Sequence, residues 1–158
     1  MKKRLFLVVM ATIFLFTGCE KDKPNIYGQW QLTKFMMGTI DVFNSKVLSS
    51  LIDDCMKTNT NLCFYSEEFN NRFELKVCDQ TEVTGNYTYE DGLCVFTNVQ
   101  SDNSMYKFPN GVVEDNCVMT ITMPIKDLDF VKELPSVVQG YIDTTANLVY
   151  TFNRILPD

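Results

Sequence analysis

The sequence predicts a mainly β chain, an antiparallel meander of seven or eight short strands with two helical insertions. Three observations carry this. From Leu62 onward, apolar and polar residues alternate with a period of two over short runs. Turn-forming residues separate those runs at close intervals, and the period changes to helical spacing in only two stretches.

Taken in order, "YGQWQLTKFM" (27–36) places Trp30 and Leu32 in phase and reads as the first strand. In "NSKVLSSLIDDCMK" (44–57) the residues Val47, Leu48, Leu51, Ile52 and Cys55 recur on one helical face, with Asn44 or Ser45 as N-cap, so an amphipathic helix is expected. "LCFYSEEFNNRFELKVC" (62–78) reads as a hairpin turning at Asn70-Asn71, residues that tolerate positive φ. "EVTGNYTY" (82–89) and "LCVFTN" (93–98) flank Asp91-Gly92, the strongest two-residue hairpin signal in the chain. "CVMTITM" (117–123) alternates cleanly. The second helical or lid-like stretch is "IKDLDFVKELPSVVQGYI" (125–142), where Ile125, Leu128, Val131 and Leu134 are at helical spacing before Pro135. "NLVYTFNRIL" (147–156) closes the chain with Leu148, Tyr150, Phe152 and Arg154 on one face.

The N-terminus is set apart from the fold. Lys2, Lys3 and Arg4 precede an apolar run from Leu5 to Phe16, too short to span a bilayer and of the length of an export signal. Phe16-Thr17-Gly18-Cys19 then resembles the bacterial lipobox, which implies cleavage before Cys19 and acylation of that cysteine. "EKDKPN" (20–25) is polar, ends next to a proline, and reads as a tether. The expected organisation is a signal peptide over 1–18, lipidated Cys19 and tether over 19–25, and one domain over 26–158. Two or three acyl chains hold far more firmly than one. Glu20 rather than Asp after the cysteine favours the outer membrane, and Lys21-Asp22 resembles the charged tether of surface-directed lipoproteins; the face of the membrane is left open.

Removing residues 1–18 leaves 140 of the 158 residues, enough for one core, and moves the formal charge from −6 to −9. A nucleic-acid partner is not expected of so acidic a chain, because phosphate binding needs a basic footprint. The sequence contains no histidine, which excludes Ser-His-Asp and Cys-His nucleophilic machinery and His-ligated metals. The paired acids Asp53-Asp54, Glu67-Glu68, Glu90-Asp91 and Glu114-Asp115 read as solvated turn and helix charges. There is no glycine-rich phosphate loop and no CxxC pair. No catalytic residue, metal site or cofactor is expected, and the chain does not read as an enzyme.

A meander of this kind can form a sandwich or close into a barrel, which removes exposed edges. Gly28-Gln29-Trp30 resembles the G-x-W signature of lipocalins, and Arg154 on the last strand stands where that family pairs an arginine with the tryptophan. "RFELKVCDQTEVTGNYTYEDGLCVF" (72–96) is similar to the repeated strand pattern of lipocalin-like domains in small bacterial envelope lipoproteins. The resemblance implies an antiparallel up-and-down β-barrel of about eight strands with one or two helical insertions. It also makes Trp30 and Arg154 the structural pair that closes one end. The helix expected over 44–57 departs from the lipocalin pattern and would cover or fill the barrel mouth.

With Cys19 lipidated, five cysteines remain: Cys55, Cys63, Cys78, Cys94 and Cys117. An oxidising compartment permits two bridges among them. If Asn70-Asn71 is the turn, counting outward sets Cys63 opposite Cys78, which makes that pair the preferred bridge, with Cys94–Cys117 second and Cys55 a buried thiol. Five reduced thiols are the alternative.

Two functions follow. A tethered carrier would hold a small apolar or amphipathic ligand in a cavity lined by Phe64, Tyr87, Tyr89, Phe96, Met119 and Phe152. An interaction module would instead use those same side chains as solid core and bind an envelope or host partner through its surface. Packing is the ordinary role of such aromatics. In either case the membrane is contacted through the N-terminal lipid, and the sequence does not identify a protein partner.

Overall fold

The computed structural model describes residues 25–129, 132, 136–140 and 142–156. The expected leader, Cys19 and most of the tether lie outside the described residues, as do Val131, Leu134 and Pro135 of the second helical stretch.

Among the described residues, nine strands form one antiparallel sheet. They are β1 (Gly28–Met37), β2 (Ile40–Asp41), β3 (Thr60–Glu67), β4 (Asn70–Val77), β5 (Gln80–Glu90), β6 (Leu93–Gln100), β7 (Asn110–Glu114), β8 (Val118–Pro124) and β9 (Asn147–Arg154). From β3 onward each strand pairs with its successor in sequence, and β9 returns to pair with β1. That return closes an eight-stranded, up-and-down, lipocalin-like barrel, with the two-residue β2 added beside β1. Closure leaves no long edge to template aggregation.

Alternation supplies the core. Phe73, Leu75 and Val77 on β4 and Leu148, Tyr150 and Phe152 on β9 point inward, while the residues between them face out. On β1 the phase slips. The register shifts between Leu32 and Lys34 where the strand crosses β9, so the buried set runs Trp30, Leu32, then Phe35, Met37. A one-residue bulge at Thr33 accounts for this, since one extra residue reverses every later side chain. Gly85 on β5 faces the interior beneath Phe73, whose ring leaves no room for a larger residue: an added Cβ would lie 2.6 Å from Phe73 Cε1. Glycine is used there for close approach of a neighbouring side chain.

The barrel ends differ. One end has only tight turns, at Glu68-Phe69, Asp91-Gly92 and Asp115–Cys117, together with the two ends of the described chain. The other carries the tight Cys78-Asp79 turn and every long connection. The stretch from β1 to β3 holds β2, a 3₁₀ turn (Leu48–Leu51) and the short helix α1 (Asp54–Thr58). The β6–β7 connection holds a 3₁₀ turn (Ser104–Tyr106), and the β8–β9 connection a 3₁₀ turn (Ile125–Asp127) and α2 (Ser136–Gln139).

The helix expected over 44–57 is therefore broken. Ile52 and Asp53 adopt extended conformations, with ψ of 146° and 143°, so the first piece ends at Ile52 and the second starts after Asp53. Val47, expected on the apolar face, is exposed, whereas Leu48 and Met56 are buried. The stretch 125–142 likewise forms short pieces rather than one helix in its described part.

The first hairpin turns two residues earlier than expected. Glu67 pairs with Asn70, and the turn is Glu68-Phe69, at φ of 48° and 70°. Cys63 thus faces Glu74, and Phe64 faces Phe73. The Asp91-Gly92 turn forms as the sequence indicates, with φ of 48° and 82°.

Candidate functional site: the barrel interior and its closed end

Trp30 is fully buried at the end of tight turns. Its indole Nε1–H donates to the carbonyl of Ile26 at 2.9 Å, so the segment before β1 folds back across the barrel end. Trp30 and Arg154 are Cα partners between β1 and β9. The guanidinium carbon lies 5.7 Å from the indole centroid, and Nη2 donates to the carbonyl of Tyr27 at 2.7 Å. Arginine suits this place because its planar head stacks on the indole and donates at its rim in one pose. The Ile155 amide donates to the carbonyl of Gln29, and the Tyr27 hydroxyl to Asn71 Oδ1 at 2.8 Å. These bonds close the end with Ile26 as an apolar plug.

Above this plug the lumen is crossed by rings. Trp30 meets Phe64 edge-on at 6.4 Å, and Phe64 contacts Tyr87 at 4.8 Å and Phe96 at 6.1 Å. Phe73 packs on Phe96 at 4.7 Å. Phe108 bridges the opposite walls: it lies 5.8 Å from Phe96 on β6, and 5.3 Å and 6.5 Å from Tyr150 and Phe152 on β9. Tyr150 then stacks on Phe35 at 4.8 Å. Phe108 belongs to no strand; it enters from the β6–β7 connection and is buried. The Tyr150 hydroxyl donates to the carbonyl of Met105 at 2.9 Å, tying that connection to the barrel wall.

Of the cavity-lining residues expected from sequence, Phe64, Tyr87, Phe96, Met119 and Phe152 are buried inside the barrel. Tyr89 is half-buried at the closed-end rim, its hydroxyl donating to Asn116 at 3.4 Å. Sequence reasoning missed Phe108, Phe73, Tyr106 and Phe35. The signal for Phe108 was "MYKFP": two aromatics and a methionine in an otherwise polar connection, stopped by proline.

Burial governs the titrating groups. It pushes the Tyr106 phenol up to about 12 and Tyr150 well above the ordinary range. Tyr87 is raised by burial first and then by the neighbouring Tyr27 hydroxyl. The fully buried Cys94 thiol is pushed up to about 12 by burial alone. None of these groups is poised for acid–base work near neutrality. Among the described residues no three Cys, Asp or Glu side chains stand together as a metal site.

The disulfides differ from expectation. Among the described residues Cys55 is bridged to Cys78, joining α1 to the turn after β4. Cys63 and Cys94 are free thiols, so neither Cys63–Cys78 nor Cys94–Cys117 forms. Moving a hairpin turn by two residues preserves which side chains face inward, so the apolar pattern alone could not separate the two registers. Cys63 was thereby displaced to Glu74, and Cys78 fell in a turn beside the helix that carries Cys55.

No family model matches this sequence, and neither a curated protein nor a solved structure is detectably similar to it.

Proposed function

We propose that this chain is a lipid-anchored, non-catalytic envelope protein whose barrel is a solid scaffold, with function carried by its outer surface and ends. The observation behind the solid barrel is the continuous ring contact across the lumen, with Phe108 inserted between β6 and β9. Rings packed at these separations gain more from one another than from leaving room for cargo. The lipobox-like Phe16-Thr17-Gly18-Cys19 supports an acyl anchor, with the outer membrane as its place. The lack of histidine, and phenols and thiols held neutral by burial, support a non-catalytic role.

A carrier is the second reading, and one observation favours it. Phe108, which joins the rings of the two walls, is carried by a loop tied down by the Tyr150–Met105 hydrogen bond, so its withdrawal would open a space between β6 and β9 without breaking a strand pair. Native mass spectrometry of protein purified from its own membrane decides between the two. The solid scaffold gives the mass of the acylated chain alone; a retained small molecule, lost when Phe64 or Phe96 is altered, establishes the carrier.

A further inference from the structure

We infer that the closed end of the barrel is a membrane-docking surface that seats on zwitterionic lipid, with Phe69 entering the headgroup layer. This rests on the acyl-anchor reading of Cys19.

Exposed apolar side chains are unevenly distributed over the described residues. Seven large apolar residues are exposed, and six of them, Tyr27, Phe69, Leu93, Val112, Ile155 and Leu156, are at the end of tight turns. Leu93 and Val112 are Cα partners on the outer wall beside the Asp91-Gly92 turn, and Ile155 and Leu156 follow β9 next to Tyr27. Phe69 is the extreme case. It is completely exposed at a hairpin tip, at φ of 70°. A bulky aromatic in the left-handed region, with its ring wholly in water, is unfavourable on two counts. Asn or Gly would serve the turn better, so the position points to a use for the ring.

The chain itself names the occupant. The described residues begin at Asn25 on this same end, and only the five residues 20–24 separate it from Cys19. The six steps from Cys19 to Asn25 span at most about 20 Å when extended. An acyl group on Cys19 therefore holds the closed end, rather than the end bearing the long connections, against the bilayer. Aromatic side chains favour that interfacial layer. Carboxylates in the same turns, Glu68, Asp91 and Asp115, are exposed. They oppose an anionic surface but suit headgroups whose outermost charge is an ammonium, as in phosphatidylethanolamine.

The test uses the full-length acylated protein reconstituted into phosphatidylcholine–phosphatidylethanolamine vesicles with brominated acyl chains. The chain has one tryptophan, buried Trp30, so its own emission is the background. Phe69→Trp reports the closed end. Asp79→Trp is the matched control, since Asp79 is exposed, has φ of 66° and occupies the corresponding turn position at the opposite end. Docking predicts that most of the emission added at position 69 is lost to bromolipid quenching and shifted to the blue, that emission at position 79 is unaffected, and that anionic lipid relieves the quenching. Co-flotation with vesicles but equal emission at both positions would overturn docking and leave the anchor standing. Failure of the acylated wild type to co-float overturns the anchor and the docking together.

Discussion

Arg154 stands directly across from Trp30 in the β1–β9 ladder, its guanidinium 5.7 Å from the indole centroid and its Nη2 bonded to the carbonyl of Tyr27. The first and last strands of the domain thus meet where the barrel end is sealed. A lysine at 154 keeps the charge but loses the planar stack and the fixed donor fork. Arg154→Lys is expected to cost about 1 to 2 kcal/mol, combining a weakened cation–π contact and a charge-assisted hydrogen bond. Trp30→Ala should cost about 3 to 5 kcal/mol. Urea unfolding measures both; an Arg154→Lys midpoint equal to that of a conservative change at exposed Thr39 would show that the pair is not what seals the end.

Phe108 is the residue on which the solid interior depends, because among the described residues it is the ring that contacts Phe96 on one wall and both Tyr150 and Phe152 on the other. Phe108→Ala should destabilise the domain by about 3 to 5 kcal/mol and leave a cavity lined by aromatic rings. Such a cavity stays dry and accepts a benzene-sized guest. Wild-type protein is therefore expected to leave the melting temperature unchanged on addition of benzene, while the variant regains part of its loss. Stabilisation of the wild type by benzene would argue for an existing cavity and hence for the carrier.

The sequence was most legible where a single residue type carries a local requirement. Asp91-Gly92 gave its hairpin because few residues accept positive φ at both central positions. Trp30 and Arg154 could be placed because both begin or end recognisable strands, and closure follows once they are neighbours. Legibility failed where alternatives share the same pattern. A hairpin turning at 68–69 or at 70–71 buries the same side chains, so Phe64 was correctly placed inside while its partner, and with it the cysteine pairing, was not. Helical spacing over 44–57 ignored the extended backbone at Asp53. Phe108 was hidden for a different reason: a lone aromatic in a loop has no periodicity to assign it to a face, and only the third dimension shows that it enters the barrel.

The Cys55–Cys78 bridge closes a separation of 23 residues between α1 and the β4–β5 turn. On a loop-closure account it should contribute about 3 kcal/mol. Cys55→Ala with Cys78→Ala is expected to lose roughly that amount, whereas Cys63→Ser, half-buried on the outer wall, should be near neutral. Non-reducing peptide mapping should recover a cross-linked peptide pair containing residues 55 and 78. Recovery of a 63–78 link would restore the later hairpin register.

Alkaline pH should destabilise the fold through its buried neutral acids. Cys94 has its thiol pushed from an ordinary value of 9.0 to about 12, and Tyr106 its phenol from 10.0 to about 12, both by burial. Tyr87 and Tyr150 are raised in the same direction. A group whose folded pKa exceeds its unfolded one costs nothing below the unfolded value. As pH rises past that value the unfolded chain releases a proton that the folded chain retains, and stability falls until the folded pKa is reached. Stability is therefore expected to be flat from pH 7 to the onset of thiol ionisation near 9.0, then to fall towards pH 12, more steeply once the phenols join near 10.0. Each group can add a slope of at most about 1.4 kcal/mol per pH unit. Cys94→Ala separates the contributions: its stability is lower at pH 7 because a buried side chain is shortened, but its decline between pH 9.0 and 10.0 is shallower, since of the two free thiols raised by burial only Cys63 remains. A variant whose decline between pH 9.0 and 10.0 is as steep as that of the wild type would mean that Cys94 ionises as freely in the folded barrel as in the unfolded chain.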